Sequence, residues 1–167
     1  HAVFEGGGAK GVAYVGALEE LESQNIWFKE VAGTSAGAIT AALIAAGYTY
    51  PEIKKIVFET DFNQFKDRRW GIVPPWLNLL ALGGMYRGRV FQNWMAELLK
   101  ARLGREPTLK DLPIPLTVIA SDISNKTMLV LDRDTAPDLK VAEAVRMSMG
   151  IPFFFEVYRW PGAYKQF

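Results

Sequence analysis

A serine stands between two glycines in the run Gly33-Thr34-Ser35-Ala36-Gly37. This spacing is that of a nucleophile elbow, a tight strand-to-helix turn that lifts a serine hydroxyl clear of a sheet. A short apolar run that is typical of a strand precedes the motif, and an alanine-rich, almost wholly apolar helical pattern follows it. This context predicts Ser35 as the nucleophile of an acyl-transfer reaction, with a glycine-rich packing turn as the alternative.

A second glycine motif, Gly6-Gly7-Gly8-Ala9-Lys10-Gly11, lies near the start of the sequence. A tetrahedral intermediate carries negative charge, which backbone N–H groups at a helix N-terminus stabilise. Its first three residues, Gly6, Gly7 and Gly8, are therefore predicted to form an oxyanion hole, together with the N–H of Ala36. The alternative is a dinucleotide-binding loop, which requires an acidic residue at the end of the next strand. That strand runs into the serine motif instead.

The general base is harder to place. His1 is the only histidine, so a Ser-His-Asp triad is not expected within this sequence. A carboxylate or a lysine within hydrogen-bond reach of the serine oxygen must take its place.

The hydrophobic pattern puts these motifs on an α/β framework. Two strand–turn–helix units follow one another from residue 2 to residue 47, which favours a parallel sheet. The helices are predicted at 11–23, 35–47, 50–66, 90–103 and 138–149, and the later strands, at 116–123 and 127–131, are predicted to form a hairpin.

Composition narrows the classes of function. The length of 167 residues suits one domain, and 19 basic against 18 acidic residues argue against nucleic acid as the main partner. The absence of cysteine excludes disulfides and thiolate metal sites. No apolar run reaches the ~18–20 residues of a membrane span, and no signal peptide is predicted. The expected location is therefore the cytoplasm or the periphery of a membrane.

Both glycine motifs, the run Ala120-Ser121-Asp122-Ile123 and the block at 144–153 resemble the patatin-like phospholipases, over most of the chain. The block is similar to the Ala-Ser-x-x-x-Pro helix end of that family. The resemblance implies a three-layer α/β/α fold with a mainly parallel central sheet, and hydrolysis of lipid acyl esters by a Ser-Asp dyad without metal or other cofactor. It implies a catalytic Ser35, an oxyanion hole at Gly6, Gly7 and Gly8, and a loop and elbow motif at Gly11, Gly33, Thr34, Ala36 and Gly37.

One departure from the family concerns the acid. The aspartate of the dyad belongs to an Asp-Gly motif, and this sequence contains no Asp-Gly pair. The first explanation is that residues 1–167 are a single domain that is incomplete at one or both ends. The second is a substitute carboxylate, for which Asp122 at a strand end is the best placed and Glu5 and Glu156 are weaker candidates. For Asp122, capping of the hairpin turn is the favoured interpretation.

The third explanation is a catalytically impaired relative that binds lipid or a partner. Two other features have a predicted role. The apolar stretch 70–85, bracketed by arginines, is interpreted either as a lid or membrane-facing acyl entrance or as a core insertion. Ser148 is interpreted as structural, because no glycine elbow surrounds it.

Overall fold

The computed structural model describes residues 1–67, 84–151 and 153–160. The strands of this part are β1 (Ala2–Phe4), β2 (Val31–Thr34), β3 (Gly84–Tyr86), β4 (Leu116–Asp122), β5 (Thr127–Leu131) and β6 (Phe153–Phe155). The helices are α1 (Ala13–Ser23), α2 (Ala36–Ala45), α3 (Tyr50–Glu59), α4 (Arg89–Leu103) and α5 (Val141–Ser148), with 3-10 helices at Gly8–Val12, Phe62–Phe65 and Leu109–Asp111.

The central sheet has four strands in the order β1, β2, β4, β5. The first three run parallel, and β5 pairs antiparallel with β4 as the predicted hairpin. A separate two-stranded parallel sheet joins β3 to β6. The predicted mixed α/β fold with a mainly parallel central sheet is confirmed.

One face of the central sheet carries the core. One row of neighbouring residues crosses the four strands on this face, and all of its members are buried: Phe4, Gly33, Val118 and Leu131. Helix α2 packs against this face and buries almost every residue, as its alanine-rich pattern predicts. The next row projects to the opposite face, where Val3 is 81% exposed. Helix α2 thus covers the face that carries Phe4.

Helix α3 is shorter than the predicted 50–66 and ends at Glu59. A capping box between Thr49 and Glu52 begins it. At its end, the backbone of Thr60 turns to an extended conformation, and the Thr60 hydroxyl donates to the carbonyl of Ile56 at 2.6 Å. The 3-10 helix at Phe62–Phe65 then follows, so the predicted continuation of the helix to residue 66 is wrong.

Asp67 ties together the two ends of segment 68–83, which lies outside the described residues. Its carboxylate accepts hydrogen bonds from the N–H groups of Gly88 at 2.7 Å and Arg89 at 2.8 Å, and so caps α4. Its carbonyl accepts one from the N–H of Arg87 at 3.0 Å. The predicted lid or insertion at 70–85 lies outside the described residues, apart from its last two positions.

A buried arginine fixes the second sheet against α5. Arg146 is 2% exposed, and its guanidinium donates to the carbonyls of Arg87 at 2.9 Å and Glu156 at 2.8 Å. The guanidinium also lies over the ring of Phe155, 4.9 Å from its centroid. Burial lowers the pKa of Arg146, while the charge of Asp67 opposes this shift. The residues on both sides of segment 68–83 are thereby held to the helix that ends beside Ser35.

The close approach of α2 to β1 makes a stability prediction. A side chain at Gly37 would overlap the carbonyl of Phe4, whereas one at Gly16 on α1 would meet nothing within 4 Å. We expect Gly37→Ala to lower the free energy of unfolding by about 3 kcal/mol through overpacking. Gly16→Ala is the matched control and should raise it by ~1 kcal/mol or less. Urea unfolding measures both, and an unchanged midpoint for Gly37→Ala would contradict the described packing.

Candidate active site

Ser35 lies between the end of β2 and the first residue of α2, in a strained backbone conformation. Its φ is 53° and its ψ is −124°. A positive φ is uncommon for a residue other than glycine, and such outliers cost of order 1–3 kcal/mol and cluster at functional sites. The half-buried serine thus occupies a strand-to-helix turn of the kind that its motif predicts.

The two glycines of the serine motif are required by close backbone approach. A Cβ atom at Gly33 would overlap the carbonyl of Gly37, and a Cβ atom at Gly37 would overlap the carbonyl of Phe4. Thr34, between them, is the last residue of β2 and pairs with Ile119 of β4. The start of α2 therefore lies directly on the ends of β1 and β2, with no room for side chains.

The glycine loop that follows β1 contacts the serine turn. A Cβ atom at Gly6 would lie 3.2 Å from the Cβ of Ser35, and one at Gly11 would lie 3.0 Å from the Cβ of Ala36. The loop is also tied to α1, because the hydroxyl of Tyr14 donates to the carbonyl of Glu5 at 2.8 Å. The structure thus brings the two predicted glycine motifs together.

The three consecutive glycines of this loop are exposed. Gly8 has a φ of 54°, which glycine adopts at little cost. Among the described residues, the backbone hydrogen bonds formed outside helices and strands include none donated by Gly6, Gly7 or Gly8. The three glycines therefore present backbone without side chains, and Gly6 does so next to the Cβ of Ser35.

The hydroxyl of Ser35 faces a thioether. Its Oγ lies 3.6 Å from the Sδ of Met149, at a distance suited to a weak hydrogen bond. A thioether sulfur does not take up a proton at neutral pH, so this contact does not activate the serine. Within the described part of the chain, no carboxylate is hydrogen-bonded to Ser35 Oγ.

Asp122, the substitute acid considered from the sequence, is engaged elsewhere. Its carboxylate accepts hydrogen bonds from the side-chain amide of Asn125 at 2.8 Å and from the N–H groups of Asn125 at 3.1 Å and Ser124 at 2.8 Å. These bonds, the Asn125 side chain first, lower the pKa of Asp122. A general base needs a raised basicity, so the structure favours the turn-capping interpretation.

Ser148 is a site residue that the sequence did not reveal as one. Its hydroxyl oxygen accepts a hydrogen bond from the N–H of Ser35 at 2.8 Å and donates to the carbonyl of Ile119 at 2.6 Å. Ser148 thus has a structural role, as the sequence predicts, and it acts on the backbone of the predicted nucleophile. Its position in the block at 144–153, one residue before Met149, is the only sequence signal for this role.

The described residues hold neither a metal-binding cluster nor a membrane-spanning helix. In that part of the chain, no cluster of three or more histidine, aspartate or glutamate side chains is placed to hold a metal ion. Nor does that part contain a helix with the length and apolar character needed to cross a membrane.

The family model of the patatin-like phospholipases matches residues 2–165. The chain belongs to the patatin-like phospholipase family. It is 46% identical over 165 residues to the uncharacterized protein YqhO of Bacillus subtilis, covering 92% of this chain and 56% of that protein. It is 30% identical over 129 residues to the patatin-like phospholipase domain-containing protein 7 of Rattus norvegicus, covering 77% of this chain and 9% of that protein.

Solved structures share the fold. VipD from Legionella pneumophila matches with a TM-score of 0.66 at 20% identity, over 96% of this chain and 44% of that chain. ExoU from Pseudomonas aeruginosa, in complex with SpcU, matches with a TM-score of 0.64 at 23% identity, over 90% of this chain and 38% of that chain. The chain spans about half the length of the two curated relatives that match nine tenths of it or more.

The position of Asp122 predicts that its charge is not used in the reaction. In Asp122→Asn, the amide oxygen still accepts the turn N–H bonds, so labelling of Ser35 by a fluorophosphonate should stay within about twofold of wild type. A loss of labelling in a folded Asp122→Asn variant would show instead that the carboxylate acts on the serine.

The same substitution should change acid stability. The folded-state pKa of Asp122 is lowered, so its charge stabilises the fold above the unfolded pKa of about 4, and this contribution is lost as the pH falls through the lowered value. Denaturant unfolding at pH 7 and pH 3 should therefore show a smaller acid-induced loss of stability for Asp122→Asn. An equal loss for both proteins would contradict the turn-capping role.

Proposed function

We propose that the protein hydrolyses acyl esters of lipids through an acyl-enzyme intermediate on Ser35. Its family is one of lipid-ester hydrolases. The observation that carries the proposal is the strained turn at Ser35, at the N-terminus of α2 and in contact with the glycine loop. This arrangement aims a helix dipole and side-chain-free backbone at the atom that would react.

In the proposed reaction, Ser35 Oγ attacks the ester carbonyl carbon and its proton passes to a base. The carbonyl oxygen becomes an oxyanion, which the N–H groups of Gly6, Gly7, Gly8 and Ala36 would bind; each such donor is worth about 3 kcal/mol. The intermediate collapses, the alcohol leaves with the proton, and water then hydrolyses the acyl-serine with help from the same base.

The base is proposed to be an aspartate of an Asp-Gly pair outside residues 1–167, in the protein that the gene encodes. The sequence contains no Asp-Gly pair, and the partner of the Ser35 hydroxyl within the described residues is the sulfur of Met149. The contact with a thioether is weak, so a carboxylate that reaches the site would replace it.

A lipid substrate would meet the site at a membrane surface. We therefore include contact of the protein with the surface of a membrane in the proposal. No helix of the described residues is long and apolar enough to cross one. Comparing the binding of wild type and of Ser35→Ala to anionic vesicles would separate lipid binding from hydrolysis.

The test of the function is the substitution Ser35→Ala in the gene-encoded protein. We expect complete loss of fluorophosphonate labelling and loss of hydrolysis of a short chromogenic ester, by at least about a thousandfold. The control is Ser23→Ala, which removes a hydroxyl at the end of α1. Labelling that persists in Ser35→Ala would refute the assignment.

One outcome would favour the impaired relative. This alternative, a catalytically impaired protein, rests on the lack of a carboxylate hydrogen-bonded to Ser35 among the described residues. A folded, gene-encoded wild-type protein that binds vesicles but neither hydrolyses esters nor reacts with the fluorophosphonate would be a lipid-binding module.

A further inference from the structure

The hydroxyl of Ser148 joins three parts of the chain that are far apart in sequence. Ser148 is the last residue of α5, and its oxygen accepts from the N–H of Ser35, 113 positions away, at 2.8 Å. The same hydroxyl donates to the carbonyl of Ile119 in β4 at 2.6 Å. Ile119 in turn pairs with Thr34, the residue before the serine. One side chain thus links β4, α5 and the turn between β2 and α2.

The hydroxyl of Ser148 acts both as an acceptor, from the N–H of Ser35, and as a donor, to the carbonyl of Ile119. The N–H of Ser35 donates to the hydroxyl of Ser148, and the positive φ of Ser35 then turns the chain away from β2 and into α2. Ser35, Ser148 and Met149 are all half-buried, so water has restricted access to this N–H. Without this acceptor, the N–H of Ser35 would be left without a hydrogen bond, and the strained conformation of the turn would be less stable.

We propose that Ser148 is a positioning residue, which holds the backbone of Ser35 in the conformation that presents its Oγ to a substrate. The hydroxyl acts through the backbone of Ser35, and in the described structure it forms no hydrogen bond with the reacting oxygen. The catalytic consequence rests on the proposed function, whereas the hydrogen bond itself does not.

The location of α5 supports this role over a purely structural one. Buried residues of α5 fix it against β4 and α2, and the buried Arg146 fixes it to the second sheet. Its C-terminal residue is therefore a rigid point of attachment. The next residue, Met149, supplies the sulfur beside Ser35 Oγ, so the end of this helix contacts both the backbone and the side chain of the serine.

Ser23 offers a matched comparison within the same chain. It too is the last residue of a helix, and its hydroxyl donates to a backbone carbonyl, that of Glu20, at 2.7 Å. No hydrogen bond links it to the serine turn in the described structure. Ser23→Ala therefore reports the cost of losing a helix-terminal serine hydroxyl, and the difference between the two alanine variants reports the loss of the long-range bonds of Ser148 to Ser35 and Ile119.

The experiment compares wild type, Ser148→Ala, Ser148→Thr and Ser23→Ala in the gene-encoded protein. Serine amides labelled with ¹⁵N report hydrogen exchange at Ser35, a fluorophosphonate reports the labelling rate of its hydroxyl, and ester kinetics separate kcat from KM. In Ser148→Ala we expect faster exchange of the Ser35 amide by about tenfold or more, with labelling rate and kcat reduced by a similar factor and KM little changed. Ser148→Thr, which keeps the hydroxyl, should restore most of both, and Ser23→Ala should change neither.

Several results would overturn the proposal. These are an unprotected Ser35 amide in wild type, unchanged exchange in a folded Ser148→Ala, or a Ser148→Thr variant that folds and exchanges as fast as the alanine variant. If Ser148→Ala does not fold, the wild-type protection and the threonine variant decide. A wild-type protein that the fluorophosphonate does not label would defeat the proposed function alone, because the exchange measurement would still decide the role of Ser148.

Discussion

The contact between the start of α2 and the ends of β1 and β2 determines the rest of this site. At Gly33 and Gly37 the backbones approach so closely that no side chain fits, and the helix begins immediately after the strand. The chain can turn from strand to helix over so short a distance only if Ser35 takes a positive φ. Because β1 lies beside β2, the loop that leaves β1 must pass over this turn, and Gly6 meets Ser35 there. The strain at the serine and the position of the glycine loop thus share one cause.

Much of this arrangement could be predicted from the sequence because it is encoded locally. The glycine spacings, the apolar run before Ser35 and the alanine-rich pattern after it all lie within a few residues of the turn. The hairpin from β4 to β5 is local in the same sense. The end of α3 was harder to predict, since the apolar pattern continues to Phe65 while the hydroxyl and extended backbone of Thr60 end the helix. The predicted helix was too long because the apolar pattern does not register the effect of this one threonine on the backbone.

The contacts from the end of α5 could not be predicted in this way. Apart from the block at 144–153 in which it lies, nothing near Ser148 in sequence indicates that its hydroxyl accepts from a backbone group 113 positions away. A serine at a helix end usually satisfies itself locally, as Ser23 does with Glu20, and only the packing of α5 onto β4 decides otherwise. Asp122 shows the converse case. Its place at the end of a strand suggested a site residue, but the amides of its own turn are closer in the chain and engage its carboxylate.

The described residues supply the two halves of the proposed chemistry unequally. The strained serine and the glycine loop are already in contact, so in the proposed reaction the stabilisation of the oxyanion, about 3 kcal/mol for each donor, would need little rearrangement. On the proton-transfer side, the hydrogen-bond partner of the serine hydroxyl within the described residues is the sulfur of Met149, and a general base contributes typically ~10²–10⁴-fold. In the proposed reaction, preorganisation thus comes from contacts among the described residues, whereas turnover would depend on a carboxylate that these residues do not bring to Ser35. Phosphonylation and acylation of Ser35 would both use the base that takes the hydroxyl proton, whereas complete turnover would also need that base to activate water. A fluorophosphonate therefore tests the first step of the proposed reaction, and ester hydrolysis tests both steps.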